Sequence, residues 1–206
     1  ATVMGNNNVG GLPTRNWSAG FFENAEPIDG VTLYDTILKE RDTCYSCAVR
    51  CKRVVESEYR DQKILPVYGG AEYENLATLG SYCGIGDLNA VSLANQICNA
   101  YGVDAIAAGA TIAFAMDCFE RGILTSADTD AIELRFGDAD AMLAMLQKMM
   151  DRDGFGNVLA EGSARAAQTI GRGAPDRVNT VKGAEFPAHM PHVKRSLGLI
   201  YAVNPF

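Results

Sequence analysis

Three thiols stand close together in the run Cys44-Tyr-Ser-Cys47-Ala-Val-Arg-Cys51, a C-x2-C-x3-C spacing. Three thiolates so near one another need a counter-charge. A metal centre supplies one, and iron–sulfur clusters take cysteine ligands at such short spacings. Arg50, Lys52 and Arg53 flank the third cysteine, where positive side chains offset the charge of a thiolate-ligated cluster and tune its potential. A [4Fe-4S] cluster takes a fourth ligand, and none lies nearby in sequence. Two plainer readings stay open: a zinc site completed from elsewhere, or three reduced thiols without metal. Zinc sites more often combine two separated ligand pairs, and the only histidines, His189 and His192, stand far along the chain. Cys98 and Cys118 read as structural thiols on apolar helix faces; Cys83 lies in a Gly-rich turn.

Two further pieces carry polar groups at telling positions. Glu74, in Glu72-Tyr-Glu74, precedes an apolar stretch. A partly buried carboxylate holds its proton more tightly, which suits general acid–base work. The alternative is a helix N-terminal glutamate complementing the dipole. Asn99-Ala-Tyr-Gly102-Val-Asp104 links two helical segments, and a stop at Gly102 with an N-cap at Asp104 accounts for it without further chemistry. His189 and His192 fall in a Pro-bounded loop, and a role for either stays open.

The elements that must hold these groups are mainly helices. Residues 69–206 read as a helical domain and residues 1–68 as a loop-rich segment carrying the cysteines. Residues 1–30 are rich in Gly and Asn and predict loop. A helix is expected from Thr32, as cap, to Glu40, and short extended segments over Val54–Val67. Apolar positions at helical spacing follow Asp87 and stop at Gly102. A second helix runs from Asp104 to Gly122, with Gly109 and its alanine neighbours predicting close helix packing. A third covers Asp138–Arg152, a fourth Val158–Ile170 with a stop at Gly171, and Val178–Val181 reads as a short strand. The apolar stretch before Val203-Asn204-Pro205-Phe206 predicts that the natural protein continues in both directions.

The 206 residues are 48% hydrophobic, enough to fill a core, and the net charge of -7 argues against nucleic acid as partner. No apolar run approaches the roughly 20 residues that span a bilayer, and no signal-peptide pattern opens the chain. Clustered cysteines point to a reducing, cytoplasmic setting rather than a disulfide scaffold.

Taken in order, these segments resemble the aldehyde ferredoxin oxidoreductase family. The resemblance runs through Gly11-Leu-Pro-Thr-Arg-Asn16, the cysteine run with Arg50 to Val55, Glu72-Tyr-Glu74, Leu79-Gly80, Gly84-Ile85, Asp87-Leu88 and Asn95. It continues through Tyr101-Gly102-Val-Asp104, Gly109-Ala-Thr-Ile-Ala113, Gly154-Phe-Gly156, Leu159-Ala-Glu-Gly162, Val181-Lys-Gly183, Glu185-Phe-Pro-Ala188 and Tyr201-Ala202. It implies the multihelical fold of that family's two helical domains, with a β-rich domain before Ala1. It implies tungsten or molybdenum held by two pterins beside a [4Fe-4S] cluster, oxidation of a small aldehyde to a carboxylate, and electron transfer to ferredoxin. An alternative inside the family is reduction of an aromatic thioester; one outside it is a non-catalytic iron–sulfur or zinc interaction domain.

By the resemblance, Cys44, Cys47 and Cys51 are cluster ligands, with the fourth beyond Phe206. Asn99, Gly102 and Asp104 belong to a pterin-binding loop, whose first residue is often Asp in the family. Glu74 matches a glutamate near the metal that assists proton transfer. The Glu-x-x-His that holds a dimer-bridging iron in some members reads Leu93-Ala-Asn-Gln96 here, so any homo-oligomer is expected to form without it. An active-site histidine of some members would fall past Phe206.

Overall fold

The computed structural model describes residues 2–203. The Asn204-Pro205-Phe206 end of the sequence falls outside them. The opening stretch, expected as loop, begins instead with a helix, α1 (Thr2–Asn8). Asn7 does the work of a pairing partner. The Asn7 amide donates to the Phe22 carbonyl (3.0 Å) and accepts the Phe22 N–H (2.7 Å). With that side chain satisfied, its burial carries no orphaned-group cost, and Val3, Leu12 and Phe22 are buried around it. Residues 9–29 are otherwise non-helical apart from a single turn at Glu26–Ile28.

The next helix, α2, covers Gly30–Thr36. It starts earlier than expected because Asp29 is the cap, accepting the Val31 N–H at 3.3 Å, while the Thr32 hydroxyl donates to the Glu26 carbonyl. It also ends earlier. Residues expected in its last turn form β1 (Leu38–Asp42), antiparallel to β2 (Lys52–Val55) with Arg41 opposite Arg53 and Asp42 opposite Lys52. The cysteine run is therefore the loop of a hairpin. A second hairpin, β3 (Ser57–Tyr59) and β4 (Gln62–Ile64), follows, matching the extended segments expected there.

From Tyr73 the fold is helical. α3 (Tyr73–Thr78) leads through a turn at Ser81–Cys83 to α4 (Leu88–Tyr101), whose cap Asp87 accepts the N–H groups of Asn89 and Ala90. Gly102, at φ 70°, ends it in the left-handed conformation that glycine adopts without cost. α5 (Ala105–Glu120) is capped by Asp104 in the same way. It is apolar nearly all round, the mark of a central helix, and it packs against α3, α4 and α6 (Ala139–Asp151). Gly109 explains the close approach: a Cβ there would stand 2.6 Å from the Thr78 carbonyl.

The single helix expected over Val158–Ile170 is two, α7 (Phe155–Leu159) and α8 (Ser163–Ile170). Gly162, at φ 86°, breaks the run, and the Ser163 N–H goes to Glu185 Oε1 at 2.8 Å. A two-residue hairpin follows, β5 (Thr180–Val181) and β6 (Ala184–Glu185), a shortened form of the strand expected at Val178–Val181. The final apolar stretch is α9 (Arg195–Val203). Among the described residues no helix is long and apolar enough to cross a membrane.

Candidate active site

Glu74 sits in the first turn of α3, and its carboxylate is three-quarters covered, with 24% of the side chain exposed. Oε2 accepts the backbone N–H of Ala188 at 2.7 Å, from a residue 114 positions further along. Oε1 lies 2.9 Å from His189 Nε2, and His189 Nδ1 lies 3.0 Å from Lys194 Nζ. The Tyr73 hydroxyl donates to the Ala188 carbonyl at 2.7 Å, and its ring packs on His189 with centroids 5.6 Å apart. The start of α3 thus grips both sides of one peptide segment. His192, its neighbour in sequence, is exposed.

Aromatic residues complete the surroundings. The Tyr82 hydroxyl donates to the Phe186 carbonyl at 3.0 Å, and the Phe186 ring packs between Trp17 and Tyr201. Burial, and then the nearby Glu74 charge, pushes the phenols of Tyr73 and Tyr201 up. Tyr82 is driven upward by the same two causes in the same order. All three therefore stay neutral hydroxyls at physiological pH. The Tyr201 hydroxyl is buried with no hydrogen-bond partner among the described residues.

The three clustered thiols are exposed on residues 43–51, free of disulfides, with the Cys47 N–H donating to the Cys44 carbonyl at 3.1 Å. Among the described residues no three His, Cys, Asp or Glu side chains are gathered as a metal-binding group. The donor chemistry fits a thiolate-ligated cluster: accessible thiols on a loop with Arg50, Lys52 and Arg53 alongside. Cys51, Arg41 and Arg53 also line a cleft of about 410 Å³ together with Tyr73 and Leu76. That cleft joins the thiol loop to the residue next to Glu74. The other cysteines are buried. Burial pushes Cys98 and Cys118 up to about 12, aided by the charges of Asp104 and Asp117 respectively, and Cys83 is raised by burial alone.

The Asn99–Asp104 segment, read as a linker, is the last turn of α4 followed by the Gly102 stop and the Asp104 cap, and it divides its residues. Asp104 lines a second cleft of about 410 Å³ with Tyr101, Thr111, Met149 and Gly162, while its Oδ1 accepts the Ile106 N–H at 2.8 Å. Asn99 is turned elsewhere, its Nδ2 donating to the Tyr68 carbonyl at 2.8 Å. Gly102 supplies the left-handed turn between the helices. Asp104 brings carboxylate acceptors to that cleft, the chemistry that an N–H-rich heterocycle needs, with Oδ1 also serving as the cap of α5. Sequence reasoning singled out Glu74 but left His189 open and passed over Lys194, because no local pattern connects them to α3.

Residues 1–206 match the family model for aldehyde ferredoxin oxidoreductase, domains 2 and 3. The chain belongs to the aldehyde ferredoxin oxidoreductase family. Over 202 residues it is 36% identical to the tungsten-containing aldehyde ferredoxin oxidoreductase of Thermococcus kodakarensis, covering 96% of this chain and 32% of that protein. The Pyrococcus furiosus enzyme of the same description is 35% identical with the same coverage. The chain thus spans about a third of the length of these relatives. Among solved structures, the active-site complex BamBC of benzoyl coenzyme A reductase, bound to 1,5-dienoyl-CoA, superposes with a TM-score of 0.65 at 28% identity. It covers 77% of this chain and 23% of that one. The multihelical fold and the kinship with tungsten-containing oxidoreductases agree with what the ordered motifs implied.

Proposed function

We propose that the protein to which this chain belongs oxidises a small aldehyde to a carboxylate and passes the electrons through a [4Fe-4S] cluster to ferredoxin. The observation that carries the reading is Glu74: a mostly covered carboxylate, fixed at both oxygens, in a family whose named relatives are tungsten-containing aldehyde oxidoreductases. The balance is RCHO plus water giving RCOOH, two protons and two electrons. A tungsten or molybdenum bis-pterin centre, when bound, supplies the two-electron acceptor chemistry.

This chain's own residues supply the proton path and part of the cofactor framework. Glu74 takes a proton released from the carbonyl carbon or the attacking water, as a positioned general base. Tyr73, Tyr82 and Tyr201 keep the surroundings neutral, and their bulk limits access of bulk water to the carboxylate. Asp104 would accept hydrogen bonds from pterin N–H groups at its cleft, with Gly102 shaping the turn and Asn99 tying the end of α4 to Tyr68. Cys44, Cys47 and Cys51 would supply three thiolate ligands to the cluster, and the flanking arginines and lysine would moderate its charge.

A second reading, reduction of an aromatic thioester, is favoured by the likeness to the benzoyl coenzyme A reductase complex. A non-catalytic metal-stabilised domain is the third. Anaerobic metal analysis of the full-length protein, with EPR after dithionite reduction, separates them. About four irons with tungsten or molybdenum supports an oxidoreductase; zinc without iron returns the cysteines to a structural site. Assaying that protein with aliphatic and aromatic aldehydes, and with aromatic acyl-CoA under a strong reductant, then decides between the first two.

A further inference from the structure

We propose that His189 and Lys194 are positioning residues for Glu74: Lys194 fixes which imidazole nitrogen carries the proton, and the imidazole in turn holds the carboxylate in its working orientation. The inference rests on the reading of Glu74 as the proton-transfer residue.

The donor inventory dictates the direction of each bond. A lysine ammonium has three N–H donors and no acceptor. At 3.0 Å from Lys194 Nζ, His189 Nδ1 can make a hydrogen bond only as the acceptor. A neutral imidazole carries one N–H, so it sits on Nε2. That nitrogen is 2.9 Å from Glu74 Oε1, and it donates. With the other tautomer both contacts fail together: Nδ1–H faces the ammonium, and the bare Nε2 faces a carboxylate oxygen. The hydrogen bond at one ring nitrogen thus decides the state of the other.

The carboxylate is then held from a single short segment. Ala188 donates its N–H to Oε2 and His189 its Nε2–H to Oε1, and residue 188 is itself clamped by the Tyr73 hydroxyl. Two donors on two oxygens leave the carboxylate no freedom to rotate about its last bond. Such fixing is what a base needs, since small misplacements of a catalytic group cost up to about 100-fold in rate. Lys194 lies one residue before α9, and His189 lies between β6 and α9, so the bond between them also sets the path of the chain into that helix.

The test uses the full-length holoenzyme and reads kcat and KM for an aldehyde. His189→Leu should lower kcat by about 100-fold with KM changed little. His189→Gln, whose amide N–H reaches the Nε2 position, should recover most of the loss, while His189→Asn, one carbon shorter, should not. Lys194→Met should lower kcat by about tenfold and Lys194→Arg should restore it. The decisive arm is the double variant. An amide has no tautomer to set, so Lys194→Met added to His189→Gln should cost less than about twofold, a departure from additivity that a merely structural lysine would not give. Equal losses in both backgrounds would overturn the tautomer role. If Glu74→Gln abolishes turnover while His189→Leu and Lys194→Met leave kcat intact, this inference fails and the reading of Glu74 stands. If Glu74→Gln is itself fully active, the reading it rests on fails first.

Discussion

At the scale of the residue, what could be read in advance depended on whether a side chain's partners are local. The caps at Asp87, Asp104 and Asp138 bond amides two or three residues away, and the sequence displays them. His189 has its partners on α3 and at the entry to α9, so nothing around it distinguishes it from His192. The buried thiols were legible from their apolar settings, and they carry a prediction. Burial raises Cys98 and Cys118 from the ordinary thiol value of 9.0 to about 12 in the fold. Between those limits the unfolded chain loses a proton that the folded chain keeps, so stability is full below pH 9 and falls as pH rises toward 12. The loss is steepest inside that window, where the unfolded thiols ionise and the folded ones do not. Urea midpoints measured from pH 8 to 11 should decline, and a Cys98→Ala, Cys118→Ala variant should decline less steeply. Parallel curves for the two proteins would exclude the thiols as the cause.

At the scale of the element, periodicity located α4, α5 and α6 because each is long, capped and amphipathic or wholly apolar. It merged α7 with α8, since Gly162 in Leu159-Ala-Glu-Gly162-Ser interrupts an otherwise helical pattern only through its left-handed backbone. It missed α1 because glycine and asparagine argue for loop unless something pairs their polar groups, as Phe22 does for Asn7. The contact of α5 with α3 gives a contrast between two glycines. Gly109→Ala places a Cβ 2.6 Å from the Thr78 backbone, and the resulting strain should cost about 1–3 kcal/mol. Gly5→Ala in α1 meets nothing within 4 Å and should gain up to about 1 kcal/mol from helix propensity. Thermal midpoints moving in opposite directions would support the close packing; two upward shifts would deny it. For the hairpin loop, Cys47→Ser in the full-length protein should abolish cluster EPR and ferredoxin reduction while far-UV circular dichroism is unchanged. Normal turnover in that variant would remove Cys47 from the ligand set.

At the scale of the whole molecule, the ordered motifs place this chain within a family whose tungsten-containing relatives it matches over about a third of their length. The motifs carrying the resemblance were readable because they mark turns, caps and clefts that recur in order along the chain. The completeness of the site was not, because the match covers only 32% of the Thermococcus kodakarensis relative's length. Leu199, Ile200 and Val203 stand exposed on α9 at 65%, 47% and 68%, and the thiol loop is open. Apolar side chains grouped on one helix favour burial by about 25 cal/mol per Å², and three thiolates call for a fourth ligand at a cluster. Residues 1–206 produced alone should therefore carry no tungsten or molybdenum and oxidise no aldehyde, whereas the full-length protein purified in parallel should do both. Metal analysis and a dye-linked aldehyde assay on the two preparations measure this directly. Stoichiometric tungsten on the shorter chain would mean that Asp104 and its cleft suffice to hold the pterin without any surface outside residues 1–206.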